Sequence, residues 1–306
     1  MKQTLAYILL FWGVSINSLA QMAMDTIILP EVKLEHNRLQ THSIGTYVEV
    51  LSPELIGESS SQQLSDFIAN YSSVYIKQYG ALATPTFRGT SSSHTLVLWN
   101  GSPLNSIANG LLDFSITPIH GFEKIAIVHG GDASVFGSGA MGGSIHLNSI
   151  PDFKNQKEIK LTNEQGSYGL LSQGISLKHS TSKLAFNMTL TSLEDENIFS
   201  YKNTTQRGHP TVVNDYGKIE SKSGKLNLSY KYDNTTKFAV AYWRSVYDRE
   251  VPQNMTTPFS DAIQYDKTNN LLLSATHFFT DGVITLKRAL LKEDFRYTEQ
   301  LKNIDS

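Results

Sequence analysis

The sequence predicts a small α+β domain followed by antiparallel strands of a transmembrane β-barrel, and that barrel is incomplete. Three observations indicate this fold class. One amphipathic helix and several short apolar strands, separated by glycine-rich turns, occupy residues 45 to 150. After residue 150, apolar and polar residues alternate along successive strands, as in a barrel with a polar lumen in lipid. The connections between these strands are alternately short and long.

The chain opens with an expected export signal at residues 1 to 20. Lys2 precedes an apolar run, Leu5 to Ile16, that is too short to span a bilayer, and Ser18 to Ala20 supplies the small residues of a cleavage site. We therefore expect an exported mature protein that begins at Gln21. The sequence has no Cys, so neither a disulfide framework nor a lipid-anchor cysteine is expected. The formal net charge of -2 gives no indication of a nucleic-acid partner.

Residues 21 to 44 predict an exposed lead-in that contains a short β-favouring segment, Asp25 to Leu29. Pro30 follows directly and excludes this segment from a central strand. An extended segment near a free terminus can add to the sheet edge of another protein, because its backbone supplies the contacts. An ordinary terminal tail is the alternative.

The domain at residues 45 to 150 contains one predicted helix, at residues 59 to 71. Ser60 or Ser61 is its expected N-cap. Leu64, Phe67 and Ile68 follow the helical repeat and form one apolar face. We expect this face to pack on a sheet.

The remaining elements of this domain are predicted strands and loops. Strands are expected before Pro53, after Val74 and at His94 to Trp99, where Asn100-Gly101 is a hairpin signal. Turn-rich loops are expected over residues 80–85 and 103–113.

A glycine-rich stretch, Gly130 to Leu147, closes the domain. Residues 137 to 142 fit the dinucleotide-binding spacing G-x-G-x-x-G, which requires a strand before it and a helix after it. A strand precedes it, at Lys124 to Val128, but residues 144–147 alternate like another strand. The sequence therefore favours a tight turn between two closely packed strands.

Residues 151 to 306 predict the N-terminal part of a transmembrane β-barrel. In one strand, Leu184, Phe186 and Met188 share a face opposite Ala185 and Asn187. Tight turns are expected over residues 180–182, 233–235 and 280–282, and long polar loops over 194–219 and 248–265. A soluble sandwich would show the same alternation, so the connections favour the barrel, with its short periplasmic turns and longer extracellular loops.

The predicted barrel is incomplete. About seven strands of about 19 residues each are expected, whereas a plugged transporter of about 22 strands would need roughly 430 residues. We therefore expect a fragment or a truncated gene product. Such a half barrel should not insert stably alone, because each unsatisfied backbone group in lipid costs several kcal/mol.

Three stretches resemble the plug domain of TonB-dependent outer-membrane receptors: Phe87-Arg88-Gly89, Leu96 to Pro103, and Gly130 to Leu147. Arg88-Gly89-Thr90 followed by Ser93-His94 is most similar to the vitamin B12 (cobalamin) transporter family within that class. The resemblance covers about residues 25 to 150. It implies a plug and barrel in the outer membrane of a Gram-negative-type bacterium.

The resemblance also implies partners and site residues. The partners are TonB with its inner-membrane energising complex, outer-membrane lipid, and cobalamin or a ferric siderophore. Arg88 is expected to hold the plug to the barrel wall or to its own sheet. The implied TonB-binding residues are Asp25, Thr26, Ile27, Ile28 and Leu29; the implied substrate-binding residues in plug loops are Tyr79, Gly80, Ala81, Leu82, Asn105 and Asn109; the structural plug motif comprises Arg88, Gly89, Gly130, Gly137, Gly139, Gly142 and Gly143.

Enzymatic and metal patterns are weak, and no catalytic residue or cofactor is predicted. The sequence has no H-E-x-x-H, and His94 and His146 lie in expected strands, where satisfied core residues are commoner than ligands. Glu194, Asp195 and Glu196 could bind Ca²⁺ in an extracellular loop, as the resemblance to cobalamin transporters implies, although a solvated loop is the alternative.

Three functions stay open from the sequence. The first is energy-coupled uptake of cobalamin by plug remodelling. The second is uptake of a ferric siderophore by the same kind of machine. The third is a non-transporting, β-rich surface binding protein.

Overall fold

The computed structural model describes residues 46–79, 82–106, 109–130, 136–151, 153–252 and 261–299. The expected export signal and the segment Asp25 to Leu29 lie outside these ranges, as do Gly80 and Ala81. The N-terminal domain, described from residue 46 to residue 151, is called the plug below.

The plug contains a mixed sheet and a separate hairpin. Its strands are β1 (Tyr47–Leu51), β2 (Tyr75–Tyr79), β3 (Leu82–Thr86), β4 (Thr95–Trp99), β5 (Ser102–Pro103), β6 (Lys124–His129) and β7 (Gly143–Asn148). The sheet has the order β1-β6-β7-β4-β5, in which only the β4–β7 pair is parallel. β2 and β3 pair with each other. The predicted α+β class is confirmed.

Two of the predicted plug features are wrong in detail. The loop expected over residues 80–85 is a strand from Leu82 onward, because the small residues there pair with β2 and Ala83, Thr84 and Pro85 are buried. His94 ends a short 3-10 turn, Ser92–His94, and lies one residue before β4.

In the described ranges, the plug helices are α1 (Pro53–Glu58) and α2 (Leu64–Tyr71), whereas a single helix was predicted. Ser52 caps α1 by accepting from the Leu55 amide at 3.2 Å, and Pro53 suits the first helical turn. The expected cap at Ser60 or Ser61 is wrong. The Leu64 amide donates instead to Thr117 O at 2.8 Å, so a tertiary bond fixes the start of α2.

The apolar face predicted for the helix is confirmed, because Leu64, Phe67 and Ile68 are all fully buried. They belong to one core with Trp99 and Phe114. Among the helices of the described ranges, none has the length and apolar character needed to cross a membrane.

The glycine-rich stretch joins β6 to β7, which are antiparallel neighbours. Within its described part, the 3-10 turn Ser138–Ala140 leads into β7, which begins at Gly143, so no dinucleotide-binding helix opens there. A Cβ at Gly143 would lie 2.7 Å from Val128 O. The predicted close approach of two backbones is therefore confirmed.

The rest of the described chain is mostly a seven-stranded antiparallel sheet, called the wall below. The strands after the plug are β8 (Gln156–Gln165), β9 (Leu171–Ser180), β10 (Leu184–Asp195), β11 (Phe199–Lys202), β12 (Thr211–Asn214), β13 (Ile219–Lys231), β14 (Thr236–Glu250), β15 (Ile263–Phe279) and β16 (Gly282–Thr298). The wall has the order β16-β15-β14-β13-β10-β9-β8, and β11 pairs with β12 in a separate hairpin. Neighbours in the wall thus follow one another in chain order, with the β11–β12 hairpin inserted between β10 and β13.

The predicted alternation in the wall is confirmed, and the buried face is the polar one. Asn187 and Thr189 of β10 are buried, whereas Leu184 and Leu190 are 37% and 47% exposed. In β13, Asn227 is buried and Leu228 is 41% exposed. The apolar face points away from the plug.

The connections follow the predicted pattern with one exception. Short turns join β9 to β10, β13 to β14 and β15 to β16 at one end of the wall. At the other end, the connections over residues 196–218 and 251–262 are longer, but β8 and β9 are joined by residues 166–170 alone. These ends are called the turn end and the loop end below.

Candidate functional site between plug and wall

The plug is held to the wall by a set of polar contacts in which the wall supplies the cations. Five strands each direct a Lys or Arg onto an oxygen of the plug. The pairs are Lys160 with Gly57 O, Lys178 with Glu123, Lys225 with Pro118 O and His120 O, Arg249 with Asp113, and Lys287 with Asn100 O. The plug supplies the acceptors, which are mainly backbone carbonyls and two carboxylates.

Lys225 is the most buried of these cations, at 2% exposure. Its Nζ donates to Pro118 O at 2.9 Å and to His120 O at 2.7 Å. The same atom lies 3.5 Å from the Phe122 ring centroid and 4.6 Å from that of Trp243. The buried ammonium group has lost its hydrating water. Two carbonyls and two aromatic faces compensate for that loss.

The plug turn that receives Lys225 depends on Gly121. Its φ is +85°, a backbone conformation that favours glycine, and a Cβ there would lie 2.9 Å from Thr189 Oγ1 of β10. His120 is buried next to this glycine. Burial, followed by the charges of Lys225, Lys160 and Lys178, lowers the pKa of His120 from 6.5 to about 4. The imidazole is therefore neutral at pH 7 and adds no charge to this cationic region.

Asp113 connects the wall to two parts of the plug. Its Oδ2 accepts from Arg249 at 2.8 Å, and both side chains are nearly buried. Its Oδ1 accepts from the Ala83 amide of β3 at 3.1 Å and from the Ser115 amide at 3.0 Å. Ser115 Oγ also donates to Asp113 and accepts from Arg249 at 2.8 Å. One carboxylate thus ties the β2–β3 hairpin to β14.

A second buried network lies near the turn end. Ser149 Oγ accepts from Trp99 Nε1 at 3.0 Å and from Asn100 Nδ2 at 3.0 Å, and it donates to Asn227 of the wall at 2.9 Å. Asn100 and Gly101 both have positive φ, as the predicted hairpin turn requires. The carbonyl of Asn100 accepts from Lys287 at 2.7 Å. The turn was predicted, but its use as a docking point was not.

Of the predicted substrate residues in the described ranges, Tyr79 and Leu82 face each other at the tip of the β2–β3 hairpin, and Tyr79 is 64% exposed. Asn105 is used internally, because it accepts from the Val97 amide at 2.8 Å and donates to Thr95 O and Gly110 O at 2.9 Å. Asn109 is exposed and caps its own turn through the Leu111 amide. Asn105 thus braces a loop, whereas Tyr79 and Asn109 are exposed.

Arg88 does not have the expected contact within the described ranges. It is exposed, and it makes neither an ion pair nor a hydrogen bond with any residue there. Arg88 and Gly89 form a turn with φ values of 47° and 78°, and Arg88 lines an open cavity of about 740 Å³ with Tyr75 and His129. The wall cations do the holding that was assigned to Arg88.

The acidic triplet predicted as a weak calcium candidate does not converge. Asp195 Oδ1 accepts from the Asn197 amide at 2.9 Å, and Glu196 pairs with Lys218 at 3.4 Å. Across the described ranges, no three His, Cys, Asp or Glu side chains are grouped as a metal site. His146, in β7 as predicted, is buried and hydrogen-bonded to Ser144 Oγ at 2.9 Å.

The wall cations were missed by the sequence interpretation, although a signal for them exists. Lys225 has the same strand parity as Asn227 and Ser229, which alternate with the apolar Leu226 and Leu228. A Lys or Arg at an inward position of a barrel strand needs a partner across the lumen. That parity could have identified Lys178 and Arg249 as well.

A small domain that packs on the polar face of an antiparallel sheet is an arrangement characteristic of one class of proteins. Residues 41–144 match the family model of the TonB-dependent receptor plug domain. This chain thus has a plug that matches the plug domain of TonB-dependent receptors and, beside it, antiparallel strands with the fold of such receptors.

Relatives in sequence include vitamin B12 transporters. The chain is 28% identical over 158 residues to that of Vibrio vulnificus (strain YJ016), which covers 46% of this chain and 26% of the relative. It is 33% identical over 116 residues to that of Vibrio cholerae serotype O1 (strain M66-2), or 36% of this chain and 19% of the relative. The chain thus spans about a quarter or less of these relatives.

Solved structures share the fold at lower identity. The siderophore receptor PiuA from Acinetobacter baumannii has a TM-score of 0.61 at 15% identity and covers 83% of this chain and 37% of its own. The copper transporter OprC has a TM-score of 0.58 at 12% identity and covers 82% of this chain and 47% of its own. At such identities the likeness concerns the fold alone.

Proposed function

We propose that this protein takes part in energy-coupled import of cobalamin across the outer membrane. The proposal draws on the sequence similarity to vitamin B12 transporters, which is higher than the similarity to the siderophore and copper receptors. The observation that carries the mechanism is the polar docking of the plug, because a transporter must release its plug and seat it again.

Polar docking suits a plug that is remodelled. When the plug moves, each wall cation exchanges a plug oxygen for water. The net free energy needed to break one such contact is therefore far below the energy of the same contact in a dry interior. An apolar interface of equal area would instead resist opening by roughly 25 cal/mol per Å².

The position of β1 suggests how a pull from TonB would act. β1 is an edge strand that pairs only with β6, through residues 47 to 51. The proposed TonB-binding segment, Asp25 to Leu29, precedes β1 along the chain. Tension on that segment would therefore reach the β1–β6 ladder at Tyr47 and break its bonds in turn, while Asp113 and Lys225 keep the rest of the plug in place.

The substrate would contact the exposed hairpin tip at Tyr79 to Leu82. Asp113 is bonded to the amide of Ala83, which is one residue from Leu82 at the tip, so movement of the tip would bear on the Asp113–Arg249 pair. We propose that this connection communicates substrate binding to the plug–wall contacts.

The test of transport uses cells that lack their own vitamin B12 transporter and produce this protein. Uptake of radiolabelled cyanocobalamin above the empty-vector level, abolished by deletion of residues 25–29, is expected. Uptake of a ferric siderophore with the same dependence would support the alternative substrate. Absence of both, with the protein present in the outer membrane, would support the non-transporting surface protein.

The TonB contact can be tested separately. A peptide of residues 21–35 should bind the purified C-terminal domain of TonB, and Ile27→Pro should abolish binding because proline cannot donate to a strand ladder. A matched Ile27→Val peptide should bind normally. If the Ile27→Pro peptide binds as well as the native one, strand addition is wrong.

A further inference from the structure

The first strand of the plug has few buried side chains that hold it to the sheet. Among the described strands, β1 pairs with β6 alone, in a register that sets Tyr47 opposite His129. Of the five side chains of β1, that of Leu51 alone is buried, and it lies at the end farther from the N-terminal segment. Tyr47 and Val50 are exposed. The end of β1 that a pull would reach first therefore has no buried apolar side chain.

Glu49 lies on the side of β1 that faces the plug core. Side chains alternate along a strand, so Glu49 shares a face with Leu51, which belongs to that core. A carboxylate in such a place needs a hydrogen-bond donor. His129 of β6 supplies it, because its Nε2 lies 3.0 Å from Glu49 Oε2. The side chains of Glu49 and His129 are only 19% and 11% exposed, so little water competes for this contact.

The imidazole of His129 also contacts two aromatic rings. The ring centroid of Tyr47 lies 5.3 Å from that of His129, and the ring of Phe87 meets the imidazole edge-on at 5.5 Å. Phe87 is buried in the plug core. His129 thus connects two side chains of β1 to a residue of the core.

We propose that Glu49, His129 and Tyr47 form a clasp that keeps β1 on the plug until tension arrives through the N-terminal segment. This role rests on the proposed function, since only a plug that is pulled needs a point of release. The clasp lies at the N-terminal end of β1, so a pull acts on it before it acts on Leu51. Without the clasp, β1 would separate from β6 in the absence of tension, while β4 and β7 stay paired within the sheet.

Thiol labelling can measure the opening of β1, because the chain has no Cys of its own. Val48→Cys places a reporter in β1, where Val48 packs against the buried side chains of Ala126 and Val128. Ser144→Cys places a second reporter in β7, where Ser144 is fully buried in the middle of the sheet. The full-length protein in non-ionic detergent is treated with a maleimide, and mass spectrometry gives the labelling rate of each reporter.

The test variants are Glu49→Leu, His129→Leu and the two together. Each single change should speed labelling of the reporter in β1 at least ~10-fold, because it removes a hydrogen bond to a charged group. The double variant should be labelled no faster than the faster single variant, since both changes remove one contact. Glu49→Gln keeps an acceptor for His129 and should stay within ~3-fold of the native rate. Val50→Thr, on the other face of β1, is the matched control and should leave the rate unchanged.

A native labelling rate in Glu49→Leu, or single effects that multiply in the double variant, would overturn the clasp. Labelling of Ser144→Cys as fast as Val48→Cys in the test variants would also overturn it, because the whole plug would then open. The assay uses neither TonB nor cobalamin, so its result is separate from that of the transport assay. Cyanocobalamin uptake together with a native labelling rate in Glu49→Leu would refute the clasp alone, whereas faster labelling in a protein that imports nothing would refute transport alone.

Discussion

The plug and the wall bury opposite kinds of side chain. In the plug, Trp99 and Phe67 are fully buried, as in a water-soluble domain. In the wall, Asn227 is buried while Leu226 beside it is 38% exposed. The difference shows that the two regions lie in different environments. The plug has an apolar core of its own and a surface suited to water, whereas the wall faces lipid on its outer side and the plug on its inner side.

The two regions meet largely through polar groups, because the inward side chains of the wall are mostly polar, although Ala241, Trp243 and Leu272 join the apolar core of the plug. Trp99 and Phe122 of the plug still find one aromatic partner there, since Trp243 lies 5.8 Å and 5.7 Å from their rings. Around that aromatic contact, cations of the wall meet oxygens of the plug. The comparison therefore predicts that the plug is stabilised by its own core and positioned by the wall.

The largest expected effect comes from truncating the plug core. Trp99→Ala removes a buried ring and should lower the free energy of unfolding of the plug by about 3–5 kcal/mol. Urea titration of the full-length protein in detergent, followed by pulse proteolysis, measures it. Leu226→Ala on the outer face is the control, expected to change stability by about 0.5 kcal/mol. Similar losses from both variants would break the comparison.

Next comes the buried ion pair between plug and wall. Asp113→Asn removes the carboxylate that pairs with Arg249 at 2.8 Å and should weaken plug docking by about 3 kcal/mol. Protease cleavage after the β2–β3 hairpin should become faster, because a plug whose ion pair with Arg249 is lost leaves the wall more often. Asp281→Asn, at an exposed turn, is the control and should leave the cleavage rate unchanged. A docked, protease-resistant Asp113→Asn plug would refute the assigned role.

The pH dependence of plug stability follows from His120. Burial holds its folded-state pKa at about 4, below the unfolded value of 6.5, so the unfolded plug binds more protons between these values. The free energy of unfolding should fall as pH drops from 6.5 to 4, by up to about 3 kcal/mol. His120→Gln should flatten this part of the profile in a pH series of urea titrations. An unchanged slope in that variant would assign the dependence to other groups.

The smallest expected effect concerns Arg88. Because it is exposed and makes neither a hydrogen bond nor an ion pair with the described residues, Arg88→Gln should change plug stability by no more than about 0.5 kcal/mol. The measurement is the same urea titration, with Arg249→Gln as the comparison variant. A loss from Arg88→Gln as large as that from Arg249→Gln would restore the holding role first expected of Arg88.

Local patterns were enough to predict several elements. The alternation around Leu184 to Thr189 depends only on strand periodicity, and the Asn100-Gly101 turn depends only on residues that accept positive φ. The apolar face of α2 was likewise set by the spacing of Leu64, Phe67 and Ile68. The start of α2 was not, because a backbone bond from Leu64 to Thr117 replaced the expected side-chain cap.

The sequence by itself determined the class of fold, the polar and apolar faces of the strands, and the family that residues 41–144 match. Only the tertiary structure decided which charges hold the plug. Asp113 and Arg249 are 136 residues apart in the chain and become partners only when β14 crosses the plug loop. Periodicity fixes the side of a strand on which a residue lies, but a contact depends on what the fold brings to that side.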